Sequence, residues 1–331
     1  MEKEILLDVK HLRTSFFMDD SEVKAVNDVS YQVRRGEIVA IVGESGSGKS
    51  VTQMTVNRLL QEPPGKILSG EVWLDGENLL TKTQREMQKI RGSKISMIFQ
   101  EPMTSLNPVI SVGSQLSEVI RKHKKVSKAE AWQLGIQALK DVDIPDPERR
   151  MRNYPFEMSG GMRQRVMIAV AVACNAELII ADEPTTALDV TTQAQVMRVL
   201  QNLVTKYNKS IILVTHNLGL VTRYADRIYV MYAGRIVEQG TTKQLLTDPR
   251  HPYTIGLLNC VPRIGGSKQT PLVPIKGAMP KLSALPEYCS FYNRCPYADE
   301  GCRCAGIPEL REIDDTGRKI ACHKTVTDRR D

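Results

Sequence analysis

The chain has 331 residues, 41% hydrophobic and 25% charged, which is room for one large domain and a smaller appendix. A net charge of +7 favours an anionic partner without choosing among nucleotide, nucleic acid and anionic lipid. No apolar run approaches the roughly 20 residues that span a bilayer, and Met1-Glu2-Lys3-Glu4 lacks a signal peptide's apolar core, so the chain is expected to stay in the cytosol, where its seven cysteines are not expected to form structural disulfides.

From the N terminus, Leu7-Asp8-Val9-Lys10 and Val29-Ser30-Tyr31-Gln32-Val33 alternate apolar and polar residues and predict antiparallel strands. Residues 37–42 form a continuous apolar strand running straight into Gly43-Glu44-Ser45-Gly46-Ser47-Gly48-Lys49-Ser50, which satisfies the G-x-x-x-x-G-K-[ST] phosphate loop at every position. A helix is predicted from Ser50 to about Leu60, stopped by Pro63-Pro64. Further buried strands are expected at 95–99, 178–181, 211–214 and 228–231, and helices near 128–142, 161–174 and 192–207. This alternation predicts a mostly parallel α/β sheet. Residues 92–155, rich in polar helix formers, read as a helical insertion between two core strands, and the basic run Arg121-Lys122-His123-Lys124-Lys125 as a solvated helix end. After about Pro249 the proline, glycine and cysteine content rises and periodicity fades, which places a boundary there.

The loop's glycines let backbone N–H groups face phosphates, and the following helix aims its positive end at the same anion. Lys49 then reaches the β- and γ-phosphates and the Ser50 hydroxyl joins the Mg²⁺ shell. A second glycine-rich element, Ser159-Gly160-Gly161-Met162-Arg163-Gln164-Arg165, opens a helix-like stretch with no phosphate left to hold. That surplus points to a nucleotide shared between two subunits. The strand at 178–183 ends in Asp182 and Glu183, suited to Mg²⁺ coordination and to polarising an attacking water; with Pro184 and Thr185 following, the pair reads equally well as a helix cap. Gln100, Thr186-Ala187-Leu188-Asp189 and Thr215-His216 each stand at or just after the C-terminal edge of a buried strand, where open α/β sheets bind ligands.

In this order the motifs resemble those of the ATP-binding-cassette ATPases, over roughly residues 5–246. The resemblance implies a P-loop NTPase of the ABC type. Its parts are a mixed core sheet, an N-terminal antiparallel β subdomain, a helical signature subdomain at about 101–158 within an ATPase domain of residues 1–249, and a cysteine-rich extension over 250–331. It implies ATP and Mg²⁺ as cofactors. Gly43, Ser45, Gly46, Gly48, Lys49 and Ser50 then hold phosphate. Ser50, Gln100 and Asp182 ligate Mg²⁺. Glu183 is the catalytic glutamate, assisted by Gln100 and the switch residue His216. Ser159, Gly160, Gly161 and Asp189 complete the partner subunit's ATP site, and Phe16, with Phe17 as second choice, stacks on adenine. Met158 and Met162 depart from the common L-S-G-G-Q signature, while the serine and both glycines are kept.

Met97-Ile98-Phe99-Gln100-Glu101-Pro102-Met103-Thr104-Ser105-Leu106-Asn107-Pro108 and Asp248-Pro249-Arg250-His251-Pro252-Tyr253-Thr254 are closely similar to peptide-importer ATPases. The resemblance is to the first of two ATPase subunits of a bacterial di- or oligopeptide importer. It implies a heterodimer with a paralogous ATPase, two membrane-spanning permease subunits and an extracytoplasmic peptide-binding protein, at the cytoplasmic face of the cell membrane and without nucleic acid. A nickel or other small-solute importer of the same group is an alternative cargo reading. A soluble ABC ATPase and a kinase or GTPase sharing only the phosphate loop are alternative classes; the last explains neither Ser159-Gly160-Gly161 nor His216.

Five cysteines crowd the tail. Cys289, Cys295, Cys302 and Cys322 supply four soft ligands, and free thiols, structural zinc and a [4Fe–4S] cluster are all open readings. Similarity of Cys289-Ser290-Phe291-Tyr292-Asn293-Arg294-Cys295-Pro296 to the peptide-importer tail implies the cluster on those four; Cys304, which has no counterpart in that motif, is a candidate substitute for Cys302, and His323, beside Cys322, a further candidate ligand. Cys174 and Cys260 read as small buried residues.

Overall fold

The computed structural model describes residues 3–18, 21–101, 105–186, 188–261 and 274–324. Pro102, Met103 and Thr104 of the importer-like segment, Ala187, and the end of the tail lie outside these. The described strands are β1 (Ile5–Met18), β2 (Ser21–Arg34), β3 (Ile38–Val42), β4 (Gly65–Leu74), β5 (Glu77–Asn78), β6 (Ile95–Ile98), β7 (Leu178–Asp182), β8 (Ser210–Thr215), β9 (Arg227–Tyr232), β10 (Arg235–Thr241), β11 (Arg311–Glu312) and β12 (Lys319–Ile320). The chain divides into two compact units: the described residues of Met1–Leu6, Val33–Ile38 and Thr81–Val214, and those of Leu7–Gln32, Val39–Leu80 and Thr215–Asp331.

In the first unit β6, β7 and β8 run parallel, with Ile95 opposite Leu178 and Leu178 opposite Ser210. Every residue of β7 and β8 is buried, which explains their unbroken apolar sequences: a parallel strand covered on both faces has no solvent side to alternate with. Between β6 and β7 lie the helices Val112–His123, Lys128–Asp141, Pro147–Arg150 and Gly160–Val172. Ser127 and Glu130 close a capping box at the start of Lys128–Asp141, satisfying two N–H groups that the helix leaves open. Arg121, Lys122 and His123 occupy the last turn of Val112–His123, where cations favour the negative helix end.

In the second unit β1 pairs antiparallel with β4, Leu7 opposite Leu74 and Phe16 opposite Gly65, within the order β2-β1-β4-β5. A mixed sheet portion is built on β3, parallel to β9, which is antiparallel to β10; β12 and β11 continue antiparallel beyond β10. The helix after the phosphate loop is Lys49–Val56, shorter than expected. Asn57 caps it and Arg58 takes a left-handed φ of 49°, which ends the helix before Leu60 is reached.

The same unit contains the described residues after 249. The helix Pro252–Asn259 is mostly buried in its first half. Tyr232, Tyr253 and Phe291 form an aromatic cluster, with ring centroids 4.6 Å apart for Tyr232–Tyr253, 5.2 Å for Tyr232–Phe291 and 5.4 Å for Tyr253–Phe291. Arg318 reaches the carboxylate of Glu238 at 3.0 Å, with side chains 4% and 0% exposed. That carboxylate also accepts the backbone N–H groups of Arg250 and His251, each at 2.9 Å. Cys174 is buried as expected, but Cys260 is exposed. It stands one residue beyond Asn259, where the chain leaves the covered side of its helix.

Candidate active site

The second unit carries the phosphate loop. β3 is wholly buried and delivers Gly43 to the strand edge, and Ser45 and Gly46 stand exposed at the loop's crest. Gly48 has φ +101°, and a Cβ there would lie 2.2 Å from the Ala25 carbonyl oxygen, so only glycine fits. It opens the helix Lys49–Val56 without a side-chain cap, leaving the first N–H groups of the helix to the loop. Lys49 is 5% exposed, and its Nζ donates to the Gly43 and Glu44 carbonyls, each at 2.8 Å, and to Ser47 Oγ at 3.4 Å. Ser50 is half-buried on the first turn. In the same unit Phe16 is half-buried on β1 and Phe17 is exposed, while His216 is exposed just after β8. Asn217, next to it, caps the helix Leu218–Tyr224 by accepting the Gly219 N–H at 3.0 Å.

The first unit gathers the acids and the second glycine-rich element. Asp182 ends β7 and is buried; Glu183, half-buried, follows with φ +45°, a conformation that costs a non-glycine residue about 1–3 kcal/mol. That turn directs the glutamate into a small polar net. Its Oε2 accepts from Gln100 Nε2 at 3.1 Å and from Thr186 Oγ1 at 2.8 Å, while its N–H donates to the Val214 carbonyl at 2.9 Å. Gln100 and Glu183, 83 positions apart, are thus brought together.

Ser159 caps the helix Gly160–Val172, its Oγ accepting the Met162 N–H at 3.3 Å. Asp189 caps Val190–Tyr207, accepting the Thr192 N–H at 3.0 Å and the Thr192 hydroxyl at 2.6 Å, which hold its carboxyl below the usual carboxylate range. The two helix starts touch: a Cβ on Gly161 would sit 2.3 Å from Thr192 Cγ2. Gln193 Nε2 ties the turn down by donating to the carbonyls of Thr185 at 3.2 Å and Leu188 at 3.0 Å. Sequence reasoning placed Thr186 at the strand edge without a role of its own and passed over Thr192 and Gln193; the D/T spacing of a cap at Asp189 and Thr192 was the one available signal.

Cys289, Cys295, Cys302 and Cys322 line one pocket, with His251, Phe291, His323 and Lys324 among its other walls. Among the described residues none of the four forms a disulfide. Burial pushes the Cys289 thiol up to about 11, and the neighbouring sulfurs of Cys322, Cys295 and Cys302 add to it. Cys304 is exposed and faces Glu300, with Sγ 3.9 Å from Oε1. Among the described residues no three or more His, Cys, Asp or Glu side chains are grouped closely enough to hold a metal ion as they stand.

A phosphate loop fed by a buried strand and a second buried strand ending in an acid pair define a P-loop nucleoside triphosphatase. The model of the ABC transporter family matches residues 26–186, and that of the oligopeptide/dipeptide transporter C-terminal region matches residues 237–302. The oligopeptide transport ATP-binding protein AppD of Bacillus subtilis is 49% identical, over 96% of this chain and 96% of its own. The oligopeptide transport ATP-binding protein OppD of Escherichia coli is 48% identical, over 98% of this chain and 94% of its own. The dimeric ATP-binding cassette MJ0796, solved in a post-hydrolysis state bound to ADP and Pi, superposes with a TM-score of 0.64 at 29% identity, covering 71% of this chain and 98% of that one. The chain belongs to the family of ABC transporter ATP-binding subunits, and it is an ATPase. Among the described residues no helix is long and apolar enough to cross a membrane.

Proposed function

We propose that this chain is the ATP-hydrolysing subunit that powers uptake of di- or oligopeptides through a multi-subunit ABC importer. The observation that carries the reading is near-full-length similarity to oligopeptide transport ATP-binding proteins, joined to a complete phosphate loop and a signature that keeps Ser159, Gly160 and Gly161. ATP enters with its phosphates on Gly43, Ser45, Gly46, Gly48 and Lys49, and with adenine against Phe16. Ser50, Gln100 and Asp182 would hold Mg²⁺, which when bound neutralises charge on the β- and γ-phosphates. Glu183, aimed by Gln100 and Thr186, orients the attacking water and takes its proton; His216 senses the γ-phosphate. Ser159, Gly160, Gly161 and Asp189 serve the ATP of a second subunit, so that hydrolysis waits on closure of the pair. The contact of Gly161 with Thr192 supports this by making the signature helix and the Asp189 turn one packed body.

The ATPase domain spans residues 1–249, with its helical insertion at about 101–158, and the extension 250–331. The second subunit is a paralogue, and two permease subunits and an extracytoplasmic peptide-binding protein complete the assembly at the cytoplasmic face of the membrane. The extension holds a [4Fe–4S] cluster on Cys289, Cys295, Cys302 and Cys322. Convergence of these four thiols on one pocket, together with the backbone N–H of Lys324 directed at Cys322 Sγ at 3.4 Å, supports that reading, because a cubane takes one cysteine per iron and suits sulfurs spread around a cavity. When bound, the cluster cross-links the tail. Affinity purification from the native membrane tests the assembly: permease subunits, a paralogous ATPase and bound peptide are expected to co-elute, and recovery of a homodimer alone would overturn it.

A further inference from the structure

Glu44 fills one of the four positions that the phosphate-loop pattern leaves open. In the fold it is where the loop meets the extension. Its carboxylate accepts two hydrogen bonds from Arg294, 2.7 Å from Nη1 and 2.9 Å from Nη2. Its N–H donates to the Tyr253 hydroxyl at 2.8 Å. Its carbonyl accepts from Lys49 Nζ at 2.8 Å and from the Ser47 N–H at 3.2 Å. One residue therefore separates the extension from the lysine that grips phosphate.

The anchoring side is rigid. Arg294 is 6% exposed at its side chain, donates from Nε to the Lys276 carbonyl at 3.0 Å, and lies against the rings of Tyr232 and Phe291 at 5.8 and 5.9 Å. Tyr253 is fully buried within the same aromatic cluster. Met279, also from the extension, comes within 3.1 Å of where a side chain on Gly46 would begin.

We propose that Arg294 and Tyr253 are positioning residues of the ATP site, acting through Glu44 to set how tightly the loop holds phosphate. Two effects point the same way. The loop has glycine at three of its first six positions and pays a large ordering cost when its N–H groups converge on an anion; a fixed anchor at Glu44 removes part of that cost beforehand. An unpaired Glu44 carboxylate beside the phosphates would also repel them, and the bidentate guanidinium cancels that charge. Arg294 lies within the Cys289–Cys295 segment, so whatever orders that segment also orders the anchor.

The inference rests on Gly43-Glu44-Ser45-Gly46-Ser47-Gly48-Lys49-Ser50 as the ATP phosphate site, and the experiment separates the two claims. Mg-ATP is titrated calorimetrically into the purified full chain. Failure of the unaltered chain to bind would sink the phosphate-site reading itself and the inference with it. Given binding, Arg294→Gln is expected to weaken it about tenfold, and Tyr253→Phe by about threefold. In a Glu44→Gln background the Arg294→Gln loss should shrink below about twofold, because the partner is already gone. A purely structural Arg294 would cost the same in both backgrounds, and that result, or unchanged affinity in folded Arg294→Gln, overturns the proposal. If Arg294→Gln does not fold, Arg294→Lys decides: it keeps charge but loses the fork, a loss of about threefold or more is expected, and wild-type affinity would overturn the proposal.

Discussion

Replacing Gly161 with alanine would place a methyl group 2.3 Å from Thr192 Cγ2, far inside ordinary van der Waals contact. Thr192 is not free to swing aside, because its hydroxyl and N–H both hold Asp189, at 2.6 and 3.0 Å. Two contributions oppose each other. Alanine gains up to about 1 kcal/mol of helix propensity over glycine, while forcing a methyl into a packed contact costs about 1–3 kcal/mol. Gly161→Ala is therefore expected to destabilise the chain by about 1 kcal/mol. Thr192→Ser removes Cγ2 and keeps the hydroxyl, leaving Cβ and Oγ1 at 3.6 and 3.7 Å as the nearest atoms. In that background the clash is gone and the propensity gain remains, so Gly161→Ala should become neutral or stabilising. Urea unfolding of the four proteins yields the coupling, expected near about 2 kcal/mol. An equal cost of Gly161→Ala in both backgrounds would refute the close approach of signature helix and Asp189 turn.

Arg318→Ala strands the Glu238 carboxylate, which is 0% exposed, and should cost about 3 kcal/mol, the lower end for a broken buried pair because two backbone N–H groups still serve it. Adding Glu238→Gln should recover more than half of that loss in thermal unfolding, and no recovery would show that Arg318 acts by packing alone. Cys302→Ser is expected to abolish visible charge-transfer absorbance and bound iron and sulfide in anaerobically purified protein, whereas Cys304→Ser, whose thiol faces Glu300, should leave them unchanged. Stoichiometric zinc without sulfide in the unaltered chain would contradict the cluster.

The strand framework is legible in the sequence because its strands are buried on both faces and its loops use residues with restricted backbone roles. β3, β7 and β8 stand out as apolar runs, and the phosphate loop as a fixed glycine pattern. What escaped depends on contacts across long separations or on single backbone angles. Glu44 and Arg294 are 250 positions apart, and Glu44 sits where the motif allows any residue. The positive φ of Glu183 has no signature, since glutamate seldom adopts it. β12 is two residues long, too short for any periodicity, yet it pairs Ile320 with Glu238 beside the buried Arg318. The premature end of Lys49–Val56 at Arg58 and the exposure of Cys260 likewise follow from local geometry that composition does not encode.

Hydrolysis at Glu183 is proposed to drive peptide uptake. The direct measurement is ATP turnover and peptide accumulation in proteoliposomes holding the assembled importer with Glu183→Gln in this chain. Retained Mg-ATP binding, turnover at this chain's site lowered by about 10²–10⁴-fold and loss of peptide accumulation are the predicted results. Unchanged turnover with continued peptide accumulation would contradict it.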